Sequence, residues 1–296
     1  MSFTPQTLPD GTPNPAAVFV NATLICGLYR GDPTAFKQYA DLVGGKLVAF
    51  ESDPAAWTPD YGVILSGDKA LVVFAGTTNS AQWVGHMMSA FFPLIDSTNN
   101  NSVVGQFYLG LNVIENAITE LIQPALRGTV ILAGHSYGAG ALKIYADHLA
   151  GRDQTPDSLQ LMTFGEPKST GDLFRVAPRP YQHLRIVARQ QGDNKRGEAV
   201  GLDPVTFTPP GILQCFKFPF LFTVPLNLLG LKWKHFGTAW GLTDFSLIPL
   251  SVYDGFVANF DPIAWTGITQ NLNYAYLHYS DTSYLSKALS LYQRSQ

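Results

Sequence analysis

The pentapeptide Gly134-His135-Ser136-Tyr137-Gly138 is the pattern in this chain best suited to covalent chemistry. An apolar run at 129–133 precedes it, and a stretch with helical composition follows at 139–149. Where a strand turns sharply into a helix, a Cβ on either side of the apex would meet neighbouring backbone, so glycine is required there. The pattern predicts Ser136 as a nucleophile whose hydroxyl stands clear of the sheet, on a strained backbone above a helix N-terminus.

Two backbone N–H groups are predicted to stabilise an oxyanion formed at that serine. One donor in such an elbow is the residue after the nucleophile, here Tyr137. The other comes from the loop after the third strand, where Gly76-Thr77-Thr78-Asn79 follows the apolar run 71–75. Thr77 is therefore the second candidate donor. A polar turn that caps a helix is the alternative interpretation of this segment.

Short apolar runs alternate with helical stretches along the chain. Six runs rich in Val, Ile and Leu predict strands buried on both faces, at 47–50, 61–65, 71–75, 129–133, 159–164 and 184–188. A helix is predicted from Pro33 to just before Gly44, capped by Asp32. A second helix is predicted from an apolar face that repeats at helical spacing, formed by Val113, Ile114, Ala117, Ile118, Leu121 and Ile122. This alternation predicts one α/β domain over 1–296, with a mostly parallel central sheet flanked by helices.

The composition excludes several classes of function. Hydrophobic residues make up 46% of the chain, charged residues only 14%, and the net charge is −3, which argues against a nucleic-acid partner. The six histidines show no metal-ligand spacing, so neither a metal nor a cofactor is expected. Cys26 and Cys215 form no disulfide framework and are interpreted as two buried thiols.

No segment is predicted to cross a membrane. The most apolar window, 218–231, contains two prolines and is shorter than the about 20 apolar residues that a spanning helix needs. The N-terminal residues have neither a basic start nor an apolar stretch, so no signal peptide is visible. The sequence is compatible with two locations, the cytoplasm and the outside of the cell after secretion and processing.

A lid candidate lies at about 81–102. Apolar side chains, including Trp83, Met87 and Phe91, repeat at helical spacing, and the polar stretch from residue 96 to 102 is predicted to be a loop. One interpretation is a surface helix packed on the core. The other is a lid that covers the active site until lipid binds, with these three side chains in contact with the substrate.

Several stretches of the chain resemble the class 3 lipases, the family of the fungal triglyceride lipases. They are VVFAGTTNSAQW, VILAGHSYGAG, LQLMTFGEPKSTGD, DPVTFTPP and HFGTAW, and they stand in the family's order. The resemblance implies an α/β-hydrolase fold, a Ser-Asp-His triad, a lid before the elbow and hydrolysis of acylglycerols or related lipids. Ala75, Tyr137, Glu166 and Thr206 depart from the family's strings, which bears on substrate preference more than on chemistry.

The triad's base and acid must follow the serine in the sequence. Four histidines do so: His148 lies in the predicted helix after the elbow, His183 opens a strand, and His235 matches a structural family string. His278 stands near the C-terminus, where the family's base lies, and is the predicted base.

Two aspartates remain open as the acid. Asp203 is favoured because it opens DPVTFTPP, which aligns with a family string. Asp193 lies in a polar segment typical of a solvated turn and is the alternative. The apolar stretch at about 211–231 follows the acid and fits either a core segment or the wall of an acyl pocket.

Ser136, Asp203 and His278 together predict a serine hydrolase that cleaves carboxylic esters of lipids through an acyl-enzyme. The expected partners are an acyl ester or lipid substrate and a lipid–water interface, and the oligomeric state is left open. Two alternatives remain. The same triad could serve an acyltransferase, a thioesterase or an amidase, or the fold could belong to a non-catalytic lipid-binding protein.

Overall fold

A central sheet with helices on both faces organises the chain. The structure is a computed structural model that describes residues 2–53, 57–76, 93–96, 101–151, 155–171, 181–190, 201–202, 233–234, 237–243, 246–250 and 284–296. Its helices are α1 (Pro15–Tyr29), α2 (Thr34–Leu42), α3 (Gly105–Leu121), α4 (Ser136–Gly151) and α5 (Ser286–Ser295), with a short 3-10 turn at Gln123–Ala125. None of the helices within these ranges is long and apolar enough to cross a membrane.

The central sheet is parallel in its middle and antiparallel at its edges. Its strands are β1 (Lys46–Glu51), β2 (Tyr61–Ser66), β3 (Lys69–Phe74), β6 (Thr129–His135), β7 (Ser158–Phe164), β9 (Gln182–Gln190), β10 (Gly201–Leu202), β12 (Thr238–Leu242) and β13 (Leu247–Pro249). The order is β1-β2-β3-β6-β7-β9-β12-β13, with β10 beside β9. Strands β3, β6, β7, β9 and β12 run parallel. All six predicted strands are present, and the predicted α/β fold with a mostly parallel sheet is confirmed.

A second, smaller sheet lies outside the central one. It comprises β4 (Pro93–Asp96), β5 (Asn101–Val104), β8 (Thr170–Gly171) and β11 (Trp233–Lys234), in the order β11-β8-β5-β4. Asp96 pairs with Asn101 in an antiparallel ladder. The prediction that the polar stretch from residue 96 to 102 is a loop was therefore wrong at both of its ends, because each end lies in a strand.

Two apolar layers cover the two faces of the central sheet. Helices α1, α2 and α5 pack with one face, and α3 and α4 pack with the other. Helix α4 is buried from Ser136 to Leu149, since it contacts both the sheet and α3. The helix that carries the predicted nucleophile is thus held on both sides, which suits a site that needs a fixed geometry.

Helix α1 was missed by the sequence analysis. Its residues are apolar around most of the circumference, so no amphipathic period marks it, as is typical of a buried helix. Asn14 caps it by accepting a hydrogen bond from the Ala16 N–H at 3.0 Å. Helix α2 begins at Thr34 rather than Pro33, and the Asp32 carboxylate accepts from the Thr34 N–H at 2.9 Å.

Candidate active site

Ser136 lies at the turn from β6 into α4 in a left-handed backbone conformation. Its φ is +54°, and among the described residues it is the only one other than glycine with a positive φ. A left-handed conformation is uncommon for a residue that carries a Cβ, and where it occurs it marks a strained functional turn. The strand, the sharp turn and the helix occur as the sequence predicts for a nucleophile elbow.

The two glycines of the pentapeptide make this turn possible. A Cβ on Gly138 would fall on the carbonyl oxygen of Ala75 at the end of β3. A Cβ on Gly134 would lie 2.9 Å from Leu142 Cδ1 and 3.1 Å from the backbone of Ala139. Gly138 therefore excludes any larger residue, and a larger residue at Gly134 would require Leu142 and the start of α4 to shift. The elbow packs directly against the end of the neighbouring strand.

The end of β3 carries the chain to the side of Ser136. Phe74 pairs with Gly134 in the parallel ladder, and Ala75 and Gly76 follow it. A Cβ on Gly76 would lie 2.7 Å from Ser136 Cβ. Thr77, the predicted second oxyanion donor, is the next residue and lies outside the described ranges. The described residues therefore place the start of the predicted oxyanion loop in contact with the elbow.

The Tyr137 side chain anchors the residue after the nucleophile. Its hydroxyl donates to the Trp57 carbonyl oxygen at 3.0 Å, with the Gln106 carbonyl oxygen at 3.3 Å, and its ring packs on Phe107. Burial raises the pKa of Tyr137, so the phenol stays neutral and remains a donor. A leucine at this position could make no such hydrogen bond.

His135 and Tyr29 form a buried contact behind the serine that the sequence analysis did not find. The Tyr29 hydroxyl lies 2.7 Å from His135 Nδ1, and it accepts a hydrogen bond from the Gly76 N–H at 2.8 Å. Tyr29 and His135 are 106 residues apart in the sequence, so no local pattern could have indicated the contact.

Several predicted site residues lie outside the described ranges. They are Asp203, Asp193, His278, Thr77, Trp83, Met87, Phe91 and the apolar stretch at about 211–231. The structure thus brings together Ser136, Tyr137 and the residues that precede Thr77, and the remaining assignments stay predictions. Within the described ranges, no group of His, Cys, Asp and Glu is arranged to hold a metal ion.

His183 pairs with Glu166 rather than with Ser136. Its Nε2 lies 2.7 Å from a Glu166 carboxylate oxygen, which also accepts from the Thr163 hydroxyl at 2.6 Å. Burial lowers the pKa of His183, so the neutral ring donates its Nε2 proton. Burial opposes the charge of Glu166, but His183 and the nearby Arg185 lower the pKa of that carboxyl overall. This pair joins the segment just after β7 to β9.

His148 is the centre of a buried charge cluster, and we call Asp96, Glu115 and His148 the α4 charge cluster. His148 Nδ1 lies 2.9 and 3.0 Å from the two carboxylate oxygens of Glu115, and its Nε2 lies 3.0 Å from Asp96 Oδ2. Burial by itself would lower the pKa of His148, but the hydrogen bonds and charges of the two carboxylates raise it to about 9. The cluster ties β4 and α3 to the helix that begins at Ser136.

Comparison with known proteins shows which family the segment around the elbow is similar to. Residues 71–191, which span β3, the elbow and the Glu166 segment, match the family model described as lipase (class 3). This segment is therefore similar to the class 3 lipases. The resemblance stated from the sequence motifs is thereby confirmed, and so is the expectation of an ester hydrolase at this level, because lipases are carboxylic ester hydrolases.

Solved lipases share the fold of this chain over most of its length. The triacylglyceride lipase of Rhizomucor miehei is 15% identical, with 92% of this chain and 96% of that chain covered and a TM-score of 0.60. Lipase II of Rhizopus niveus is 16% identical, with 92% and 96% covered and a TM-score of 0.58. A triacylglycerol lipase whose catalytic centre is formed by a serine protease triad is 16% identical, with 87% and 93% covered and a TM-score of 0.58. At these identities the likeness confirms the predicted α/β-hydrolase fold.

Proposed function

We propose that this chain is a serine hydrolase that cleaves carboxylic esters of lipids. The observation that carries the proposal is Ser136, which adopts a left-handed conformation at a strand–helix elbow inside the segment that matches the class 3 lipase model. An elbow with this backbone presents a hydroxyl beside a helix N-terminus, which is the arrangement used in acyl transfer by serine hydrolases.

The proposed reaction has two acyl-transfer steps. The Ser136 hydroxyl attacks the ester carbonyl while His278 takes its proton, and His278 then gives that proton to the departing alcohol. Water opens the acyl-enzyme with the same histidine as base and returns the serine. Asp203 orients the imidazole, with Asp193 as the alternative acid. The solved triacylglycerol lipase with a serine protease triad at its catalytic centre supports this chemistry for a chain with the same fold.

The backbone N–H groups of Thr77 and Tyr137 are the proposed oxyanion donors. Ala75 and Gly76 contact the elbow, which supports Thr77, and the Tyr137 hydroxyl bonds hold the residue after the serine in place. Such donors stabilise the charge that develops on the carbonyl oxygen, and losing one costs about 10²–10³-fold in kcat.

A lipid is the proposed substrate class. The family of the matched segment supports it, and so do the apolar stretches at about 81–102 and about 211–231. Trp83, Met87 and Phe91 are the proposed contacts for the acyl chain. A lipid–water interface is the proposed place of action, because the family's substrates gather there.

Hydrolysis of p-nitrophenyl esters from acetate to palmitate tests the proposal. We expect the protein to release p-nitrophenol from these esters, with faster turnover on longer chains presented as an emulsion than as monomers. A profile that favours acetate would make the chain an esterase of small substrates. No release from any ester would contradict the proposal and favour the acyltransferase, amidase or lipid-binding alternatives.

The choice between the two aspartates gives a separate prediction. Asp203→Asn is expected to lower kcat by about 10⁴-fold, because an amide stabilises neither the imidazolium nor the productive tautomer. Asp193→Asn serves as the matched control and should leave kcat within about threefold, because charge removal at a solvated turn has little effect. Both are measured as kcat on one p-nitrophenyl ester, normalised to titrated active sites. The reverse result would make Asp193 the acid.

A further inference from the structure

We propose that Tyr29 is a positioning residue that sets the spacing between the two oxyanion donors. The inference rests on the proposed ester hydrolysis and adds a residue to it. Tyr29 is the last residue of α1, a helix on the opposite face of the sheet from α4. Nothing in the sequence motifs of the elbow or of the oxyanion loop points to this helix.

One hydroxyl joins the two halves of the proposed oxyanion site. The Tyr29 oxygen accepts from the Gly76 N–H at 2.8 Å and lies 2.7 Å from His135 Nδ1. Gly76 directly precedes Thr77, and His135 directly precedes Ser136. The hydroxyl therefore connects the residue before one donor to the residue before the nucleophile.

The direction of these hydrogen bonds follows from the protonation of the phenol. Burial raises the pKa of Tyr29, so the hydroxyl keeps its single proton. The oxygen accepts from Gly76, and its proton is available to His135 Nδ1, which accepts it when the imidazole carries its own proton on Nε2. The hydroxyl can make both hydrogen bonds only when the C-terminal ends of β3 and β6 keep this position relative to each other.

Close packing leaves little freedom around this bridge. A Cβ on Gly76 would meet the Tyr29 oxygen and would lie 2.7 Å from Ser136 Cβ and 2.9 Å from the His135 carbonyl oxygen. The rings of Tyr29 and Tyr284 both meet the His135 ring edge to face, with centroids 5.7 and 5.3 Å away. His135 is thus held between two tyrosines, and Gly76 is held against His135 through one of them.

Loss of the hydroxyl should act on the transition state more than on substrate binding. Without it, the Gly76 N–H and His135 Nδ1 lose their partner in a buried place, and the β3 end can move away from the elbow. Oxyanion donors work only within about 2.7–3.1 Å of the developing charge, and displacements of about 1 Å cost on the order of 10²-fold. A shift of the Gly76 peptide would displace the adjoining Thr77 N–H.

The test compares Tyr29→Phe with Tyr39→Phe. Tyr39 is a matched control because its partly buried hydroxyl also has two partners, the N–H and the hydroxyl of Thr4, but it lies on α2 and neither partner belongs to the elbow. For both variants and the wild type we would measure kcat and KM on p-nitrophenyl butyrate, normalised to sites titrated with a p-nitrophenyl phosphonate. The inhibition constant of butylboronic acid, which forms a tetrahedral adduct with serine, completes the comparison.

We expect Tyr29→Phe to lower kcat per titrated site by about 10- to 100-fold, with KM changed less than about threefold. The boronic acid should bind more weakly by a similar factor. Tyr39→Phe should match the wild type in kcat, in KM and in the inhibition constant. A kcat for Tyr29→Phe within about twofold of the wild type would overturn the inference. So would a loss confined to the number of titratable sites, which would mean a structural role alone. An inactive wild type would instead remove the proposed function, and the inference with it.

Discussion

Replacing Ser136 with alanine is expected to lower kcat for ester hydrolysis on the order of 10⁶-fold. The hydroxyl forms the covalent intermediate, and in triad enzymes the removal of the serine alone abolishes nearly all of the triad's contribution. The oxyanion donors remain in the variant, so a residual rate on the order of 10³-fold above that of water is expected. Substrate binding should persist, because the deletion removes only one oxygen atom.

Two measurements would establish this result. Turnover of a p-nitrophenyl ester gives the loss of activity, and mass spectrometry after reaction with a fluorophosphonate shows whether one adduct forms on Ser136. Ser169→Ala is the matched control, because Ser169 is also buried and its Oγ has no hydrogen-bond partner among the described residues. That variant should keep both the turnover and the adduct.

Near-normal turnover by Ser136→Ala would show that the elbow is not the nucleophilic site. A phosphonate adduct that persists in the variant would lead to the same conclusion by an independent route. Loss of turnover in Ser169→Ala as well would indicate that the segment after β7 tolerates no change, and the adduct on Ser136 would then decide the assignment.

His148→Gln is expected to lower the free energy of unfolding by about 3 kcal/mol. The α4 charge cluster holds one cation between two carboxylates, with Asp96 and Glu115 both within 3.0 Å of the ring nitrogens. Removing the cation leaves two buried carboxylates that face an uncharged amide in its place, and breaking a buried charge pair costs about 3–5 kcal/mol. Glutamine keeps one donor group, which places the expected loss at the lower end.

The stabilisation by His148 should depend on pH in a defined window. The pKa of His148 is raised from 6.5 to about 9 in the folded state, so the ring binds its proton more tightly when the chain is folded. The contribution is fully present below pH 6.5 and is lost as the pH rises to about 9. At about 1.36 kcal/mol per pH unit, its size is on the order of 3 kcal/mol. The groups that face the ring are Asp96, Glu115 and the edge-on Tyr108.

Urea denaturation of the wild type and His148→Gln between pH 6 and pH 10 measures this effect. The difference in unfolding free energy between the two proteins should shrink as the pH rises, which separates His148 from other groups that titrate in both. Adding Glu115→Gln to His148→Gln should recover about 1 kcal/mol or more, since one buried charge is removed. A difference below about 1 kcal/mol at pH 6, or one that does not change with pH, would contradict the expectation.

The elbow and the strands around it could be predicted from the sequence because their signals are local. The apolar run 129–133, the two glycines and the helical stretch after them act within about 20 residues. Strand residues in the middle of a parallel sheet are apolar on both faces wherever they pair, so each run is recognisable by itself. The class 3 lipase motifs lie on these same elements, which is why the family could also be named from them.

Helix faces were predicted less well, because the neighbours of a helix decide which side is buried. Val113 was placed on the repeating apolar face of α3, yet its side chain is 73% exposed, whereas Glu115 is only 7% exposed. Helical periodicity predicts that apolar residues are the buried ones, but a charged side chain can be buried when an oppositely charged group lies next to it. His148 supplies that charge from α4.

The sequence by itself thus determined the nucleophile elbow, the strands of the sheet and the family, because each depends on residues close together in the chain. The tertiary structure alone decided the contacts that hold the elbow in place. His148 meets Glu115 and Asp96 across 33 and 52 residues, and Tyr29 meets His135 across 106. These polar side chains form their hydrogen bonds only after the sheet has brought α1, α3 and α4 together. A local pattern of residue types therefore cannot predict these contacts.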